Sequence, residues 1–165
     1  MATWTADLCD DHGDEVTLLG SGFSSYGGCE SYAGPVTTLS VLDDNLLVRS
    51  ALEEPGEGKV LLVAAQGSTN CALVGGNLGS LAVENGWAGI VVDGCVRDYR
   101  ELRELPIGVH ARGTCPRRSN KIGSGERDVT VEVTGVKVAP GNWLIADLDG
   151  IVIGPPELFA NQLSK

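Results

Sequence analysis

The sequence predicts an α/β domain with a β-rich C-terminal third, on three observations. Residues 59–65 are a continuous apolar run bounded by glycines, as suits a strand buried on both faces. Residues 89–92 are a second short run, ending at Asp93-Gly94, and a helical stretch follows each run. Beyond residue 128 the chain changes to short β-branched segments separated by turn residues. The middle thus alternates strand and helix, the pattern of an α/β sheet with flanking helices. No repeat or linker interrupts residues 1–165, so they read as one domain.

Taken in order, residues 5–16 read as a short polar helix that Thr5 can cap and Gly13 limits. A glycine- and serine-rich stretch covers residues 20–28. Gly34-Pro35 then leads into a strand over residues 36–41. Asp43-Asp44-Asn45 offers an N-cap for a helix over residues 46–52, which Pro55-Gly56 stops. After the strand at 59–65, Gly67-Ser68-Thr69 opens a loop and residues 71–74 are apolar again. Residues 78–85 look helical, with Gly86 as their C-cap. A helix is expected over residues 98–105, limited by Pro106, and a strand over 107–111. Residues 113–128 turn polar and carry, with Arg112, the chain's basic stretch, including Arg117, Arg118 and Lys121. Residues 129–133 and 136–139 flank Thr134-Gly135 as a hairpin, and 143–146 and 151–153 flank Asp147-Leu148-Asp149-Gly150 as another.

Composition narrows the function. With 42% hydrophobic and 21% charged residues the chain can build a core, so general disorder is excluded. The longest apolar run, residues 60–65, is too short to span a bilayer, and the first residues show no signal-peptide pattern, which favours the cytosol. Cys9, Cys29, Cys71, Cys95 and Cys115 are odd in number and lack a CxxC pair, so they read as reduced thiols rather than a disulfide or zinc framework. The net charge of −10 disfavours direct nucleic-acid binding and leaves room for a basic protein partner. His12 and His110 read as surface or structural residues.

Two segments could carry chemistry. Gly75-Gly76-Asn77-Leu78 precedes a helix, where close backbone approach and unpaired N–H groups can receive a carboxylate or phosphate. A glycine pair serves equally well as a plain turn. Arg97-Asp98 follows the end of a strand, where ligands collect in open α/β sheets. Arg97 could grip a carboxylate with two hydrogen bonds and Asp98 could hold a hard cation, with Glu101 on the same helix face. The same residues also describe a solvated helix face laced with ion pairs.

Twenty residues separate Gly76 from Arg97-Asp98, and Glu101 lies two residues beyond Tyr99. On this spacing the chain resembles the RraA-like family, which carries a Gly-x20-Arg-Asp-x2-Glu/Asp pattern. The resemblance runs nearly end to end, through Tyr26-Gly27-Gly28, Gly34-Pro35-Val36-Thr37-Thr38, Gly86-Trp87-Ala88-Gly89, Gly123-Ser124-Gly125-Glu126 and Asp147-Leu148-Asp149-Gly150. It implies a swivelling β/β/α fold with a mixed central sheet, and a homotrimer, sometimes stacked as a hexamer. It implies a lyase that cleaves 4-hydroxy-4-methyl-2-oxoglutarate to pyruvate and decarboxylates oxaloacetate through a shared pyruvate enolate, with Mg2+ or Mn2+. The family also contains protein inhibitors of RNase E, which is the alternative function. Some members carry an older menaquinone methyltransferase label, but the Gly75-Gly76 loop lacks the nucleotide fingerprint with an acidic ribose ligand.

Carried over by position, the resemblance puts the substrate loop on Gly75, Gly76, Asn77 and Leu78, the substrate-binding arginine on Arg97 and the metal ligand on Asp98. Regulatory members can lack that aspartate, so its presence here implies an active lyase. Glu101 is a candidate proton acceptor acting through a water, or one half of a structural ion pair. Two departures bear on substrate choice: Cys29 stands where many members have arginine, and Gly76 stands where a longer aldolase branch, which also has a C-terminal extension, has aspartate.

Overall fold

The computed structural model describes residues 4–160. The expected domain over 1–165 and the N-terminal reading therefore include residues outside the described range. Elements run in the order α1 (Thr5–His12), β1 (Thr17–Leu18), β2 (Ser24–Ser25), β3 (Tyr32–Ser40), α2 (Leu46–Leu52), β4 (Val60–Val74), α3 (Gly76–Glu84) and β5 (Gly89–Val96). They continue with α4 (Tyr99–Leu102), β6 (Gly108–Thr114), β7 (Glu126–Arg127), β8 (Val131–Val133), β9 (Val136–Val138), β10 (Trp143–Ala146), β11 (Ile151–Gly154) and α5 (Pro156–Ala160).

The main sheet is mixed, with strand order β1-β11-β10-β3-β4-β5-β6-β2. Strands β3 to β6 are parallel, and the flanking strands β10, β11, β1 and β2 pair antiparallel. Alternation along each central strand feeds two cores. Leu61, Val63, Ile90 and Val92 face the helices, packing with Val48 and Leu52 of α2, Leu78 and Ala82 of α3 and Leu102 of α4. Leu62, Ala64 and Val91 face the other way, against Val131, Val133 and Val138 of the β8–β9 hairpin. The result is three layers: hairpin, sheet, helices.

Several elements differ from expectation. The helix expected to reach residue 16 ends at His12, and Thr5 does not cap it: its N–H and hydroxyl both donate to Asp147, at 2.8 and 2.7 Å. The helix expected over 98–105 is a single turn. The loop expected at Gly67 lies inside β4, which continues to Val74 with register shifts against β5. Gln66 and Gly67 adopt φ of 57° and 66° there, so the strand bulges and resumes instead of ending. Strands β1, β2 and β7 are two residues each, too short to leave a pattern in sequence. Among the described residues all five cysteines are free.

Candidate functional site

Parallel pairing of β4 and β5 explains why the two motif segments meet. Val74 and Val96 are register partners at the carboxyl ends of these strands, and Arg97 N–H donates to the Val74 carbonyl at 2.9 Å. Gly75 and Asp98 therefore leave the sheet side by side. Asp98 takes a left-handed conformation, φ 59° and ψ 44°, which turns the chain sharply into α4. Its Oδ2 accepts a 3.0 Å hydrogen bond from Gly76 N–H, one of the unpaired donors at the start of α3.

Both glycines let acidic side chains pack closely on their bare Cα atoms. A Cβ on Gly75 would lie 2.7 Å from Asp98 Oδ2, and one on Gly76 would collide with the Glu101 carboxylate. The twenty-residue pattern is thus a set of contacts: Gly76 meets Asp98 through its N–H and Glu101 through its bare Cα.

A cavity of about 100 Å³ opens at this point. Gly75, Asn77, Leu78, Arg97 and Asp98 form one wall. Asn45 and Arg49, from the start of α2, face them together with Arg118, Ser119 and Lys121. Arg97 and Asp98 also border a second, more open hollow of about 330 Å³ with Tyr99, Thr114 and Cys115. Six of the seven residues singled out from sequence are therefore brought together, Gly76 from just behind the wall. Glu101 lines neither cavity. The structure places its carboxylate against Gly76.

Sequence reasoning missed the facing wall. Within the Asp43-Asp44-Asn45 segment expected to cap α2, Asp44 Oδ1 accepts from Leu46 N–H at 3.1 Å, while Asn45 Nδ2 donates to the Leu73 carbonyl at 3.1 Å. Arg118 and Lys121 arrive on a segment tied down by Arg117, whose carbonyl accepts from Ala72 N–H at 2.8 Å, and by Asn120, whose N–H donates to the Asp43 carbonyl at 2.9 Å. The available signal was the basic stretch itself, conspicuous in a chain of net charge −10.

The site can hold a carboxylate and a hard cation. Among the described residues no group of three or more His, Cys, Asp or Glu side chains is arranged to bind a metal, and Asp98 is the carboxylate on the cavity wall. That fits a cation such as Mg2+, which keeps several waters and takes one or two carboxylates plus substrate oxygens. The Gly76 N–H fixes one Asp98 oxygen, and the other makes no hydrogen bond within the described residues.

Comparison with known proteins identifies the family. The RraA-like family, described as Aldolase/RraA, matches residues 5–153. A Burkholderia multivorans protein named "Putative 4-hydroxy-4-methyl-2-oxoglutarate aldolase" is 54% identical, over 96% of this chain and 99% of its own length. A Laribacter hongkongensis protein of the same name is 52% identical, over 94% and 98%. A solved structure described as the RNA-processing inhibitor RraA from Thermus thermophilis superposes with a TM-score of 0.90 at 49% identity, covering 94% of each chain. Another, described as an S-adenosylmethionine: 2-dimethylmenaquinone methyltransferase from Geobacillus kaustophilus, gives 0.93 at 46% identity, covering 96% and 98%. By the family match and these relatives, the chain belongs to the RraA-like family.

Proposed function

We propose that this protein is a divalent-cation-dependent lyase that releases pyruvate from 4-hydroxy-4-methyl-2-oxoglutarate and decarboxylates oxaloacetate at the same site. The observation that carries this reading is the Gly76 N–H to Asp98 bond, which joins the glycine loop and the Arg-Asp pair into one cavity. The names of the Burkholderia and Laribacter relatives support the aldolase assignment.

Each residue has a task. Arg97 receives the carboxylate next to the 2-oxo group, with a fork that matches its two oxygens. The N–H groups of Asn77 and Leu78, free of helical partners in the first turn of α3, add positive potential beside it. Asp98 would hold Mg2+ or Mn2+, which would supply Lewis-acid polarisation of the 2-oxo group. In the retro-aldol the 4-hydroxyl gives its proton to water, its oxygen becomes a carbonyl at C4, and the C3–C4 bond breaks with its electron pair left on the pyruvate fragment as an enolate. In oxaloacetate the same bond breaks to release CO2, and in both the enolate takes a proton from water at C3. Arg97 and the loop donors oppose the charge that develops there. Glu101 keeps the loop in register by packing on Gly76. The methyltransferase description of the Geobacillus structure is not carried over, because the Gly75-Gly76 loop offers no nucleotide fingerprint.

The test is a coupled assay of pyruvate release from both substrates, with and without EDTA. Chelation abolishes release, and Asp98→Ala loses it; turnover that survives either treatment overturns the cation assignment. We also propose the homotrimer, read by sedimentation equilibrium.

A second reading is favoured by the Thermus inhibitor and by a Streptomyces coelicolor structure of the RNase ES inhibitor RraA family, 32% identical with a TM-score of 0.78. On that reading the acidic surface of this chain covers a basic RNA-binding segment of a ribonuclease. Binding to such a nuclease at low salt that fades as salt rises supports it, and no binding at low salt removes it.

A further inference from the structure

The Tyr26-Gly27-Gly28 stretch lines neither cavity beside Asp98, yet the structure ties it to that aspartate. The link runs through α4. This helix is a single turn, Tyr99–Leu102, and a lone turn has no stability of its own. Contacts from elsewhere must fix it, and with it the left-handed corner at Asp98 from which it starts. α3 holds its far end: Gly76 packs on Glu101, and a Cβ on Gly79 would come within 2.7 Å of Leu102 and 2.9 Å of Leu105. The near end is different. Tyr99, the first residue after the corner, is 47% exposed, and its hydroxyl makes no hydrogen bond among the described residues.

The Tyr26 ring is what Tyr99 rests on. The two rings meet edge to face, with centroids 5.1 Å apart and planes at 84°, an arrangement that aromatic pairs prefer. Tyr26 packs in turn on the helix-side core. Its chain is anchored along the connection from α4 into β6. Tyr26 N–H donates to the Val109 carbonyl at 2.7 Å, Gly28 N–H to that of Leu105 at 3.0 Å and Cys29 N–H to that of Ile107 at 3.1 Å. A Cβ on Gly27 would meet the Ile107 carbonyl, and one on Gly28 that of Leu105, so the two glycines let the chains lie this close. The stretch thus continues the pairing of β2 with β6 and carries the Tyr26 ring to the start of α4.

We infer that Tyr26 is a positioning residue for Asp98. Through the Tyr99 ring it fixes the Asp98 corner, and so the Gly76 N–H bond to Asp98 Oδ2 and the direction of the other carboxylate oxygen. The catalytic consequence rests on the lyase reading above; the placement of Asp98 does not. Arg97 and the N–H groups of α3 receive the substrate carboxylate without Tyr26. Loss of the ring pair therefore weakens cation binding and the stabilisation of the developing enolate, and leaves substrate binding in place.

The test compares wild type with Tyr26→Leu, which keeps apolar bulk without an aromatic edge, and Tyr26→Phe, which keeps the ring pair. The first readout is amide hydrogen exchange at Gly76 without substrate or cation, set against the amides of β3 and β4. Tyr26→Leu speeds Gly76 exchange about 10-fold relative to those amides, near the upper value of an aromatic pair, and Tyr26→Phe changes it less than about 3-fold. The second readout is Mg2+ titration by calorimetry, with pyruvate release at saturating Mg2+. In Tyr26→Leu, Mg2+ affinity and kcat each fall about 10-fold while KM stays within about 3-fold, and Tyr26→Phe keeps wild-type values. Gly76 exchange that rises no more than that of β3 and β4, an equal loss in Tyr26→Phe, or a change in KM alone overturns the assignment. Where Tyr26→Leu fails to fold, Tyr99→Leu removes the same ring pair from an exposed position and is read in the same way. Should wild type release no pyruvate, the lyase reading fails by itself, and Gly76 exchange still decides the role of Tyr26.

Discussion

A methyl group added at Gly76 would strike the Glu101 carboxylate, and Asp98 is held by the N–H of that same residue. Gly76→Ala therefore forces Glu101 and the loop apart. Its expected cost is about 1–3 kcal/mol in urea unfolding, the range for overpacking a tight contact, with a loss of pyruvate release that exceeds the loss of folded protein. Unchanged stability and activity would show that the contact does not matter. Asp98→Asn separates charge from shape. Asparagine keeps an oxygen for the Gly76 N–H and tolerates the left-handed backbone, so stability should stay within about 1 kcal/mol. Divalent-cation binding by calorimetry should vanish, and turnover should fall about 100-fold or more. At this scale Gly75, Gly76, Asn77, Leu78, Arg97 and Asp98 were legible because family spacing ties them together. Arg118, Ser119 and Lys121 were not, because only the fold carries them to α2 and nothing in their local pattern says where they point.

The segment from Arg118 to Ser124 has no regular structure of its own, and Asp44 supplies its order. Burial pushes the Asp44 carboxyl up, but the N–H groups of Leu46, Ile122 and Gly123 and the Ser124 hydroxyl outweigh it and hold it below the ordinary 3.8. A carboxylate lowered on folding adds stability above its unfolded value, and that stability is lost as pH falls through the lowered folded value. Asp44→Asn should therefore flatten the stability profile below about pH 4 and speed amide exchange at Ile122 and Gly123 under neutral conditions. Exchange that stays slow would mean another contact orders the segment. Element by element, the sequence signals were strongest where periodicity and length agreed: the helix at Leu46–Leu52 was read to the residue, and the buried runs at 59–65 and 89–92 became strands. They failed where tertiary pairing overrode local chemistry. Gly67 reads as a loop, yet pairing with β5 carries the chain through it. The charged stretch after Asp98 reads as a helix of two turns, yet it stops at Leu102, short of Pro106.

Across the whole molecule, the parallel and antiparallel halves of the sheet are joined by one buried polar chain. His110 of β6, 3% exposed, shares a 2.7 Å hydrogen bond with the Tyr32 hydroxyl at the start of β3 and a 3.2 Å bond with the Asp147 carbonyl after β10. A carbonyl only accepts, so Nε2 carries the proton and Nδ1 accepts from the phenol. Burial keeps that phenol protonated, since it pushes the Tyr32 ionisation well above 10.0. Burial also lowers His110 below the ordinary 6.5, against the opposing pull of Asp147. Protonation would set a second N–H against the donating hydroxyl. The unfolded chain thus takes up this proton first as pH falls. The stability His110 confers is complete above about 6.5 and is lost as pH drops through its lower folded value. Carboxylates titrate mainly below this range, so a decline in unfolding free energy between about pH 7 and pH 5 reports histidine. His110→Gln, which can still donate to Asp147, should cost about 1–3 kcal/mol at pH 8 and remove that decline. If the slope survives in His110→Gln, the joint is not what acid breaks first.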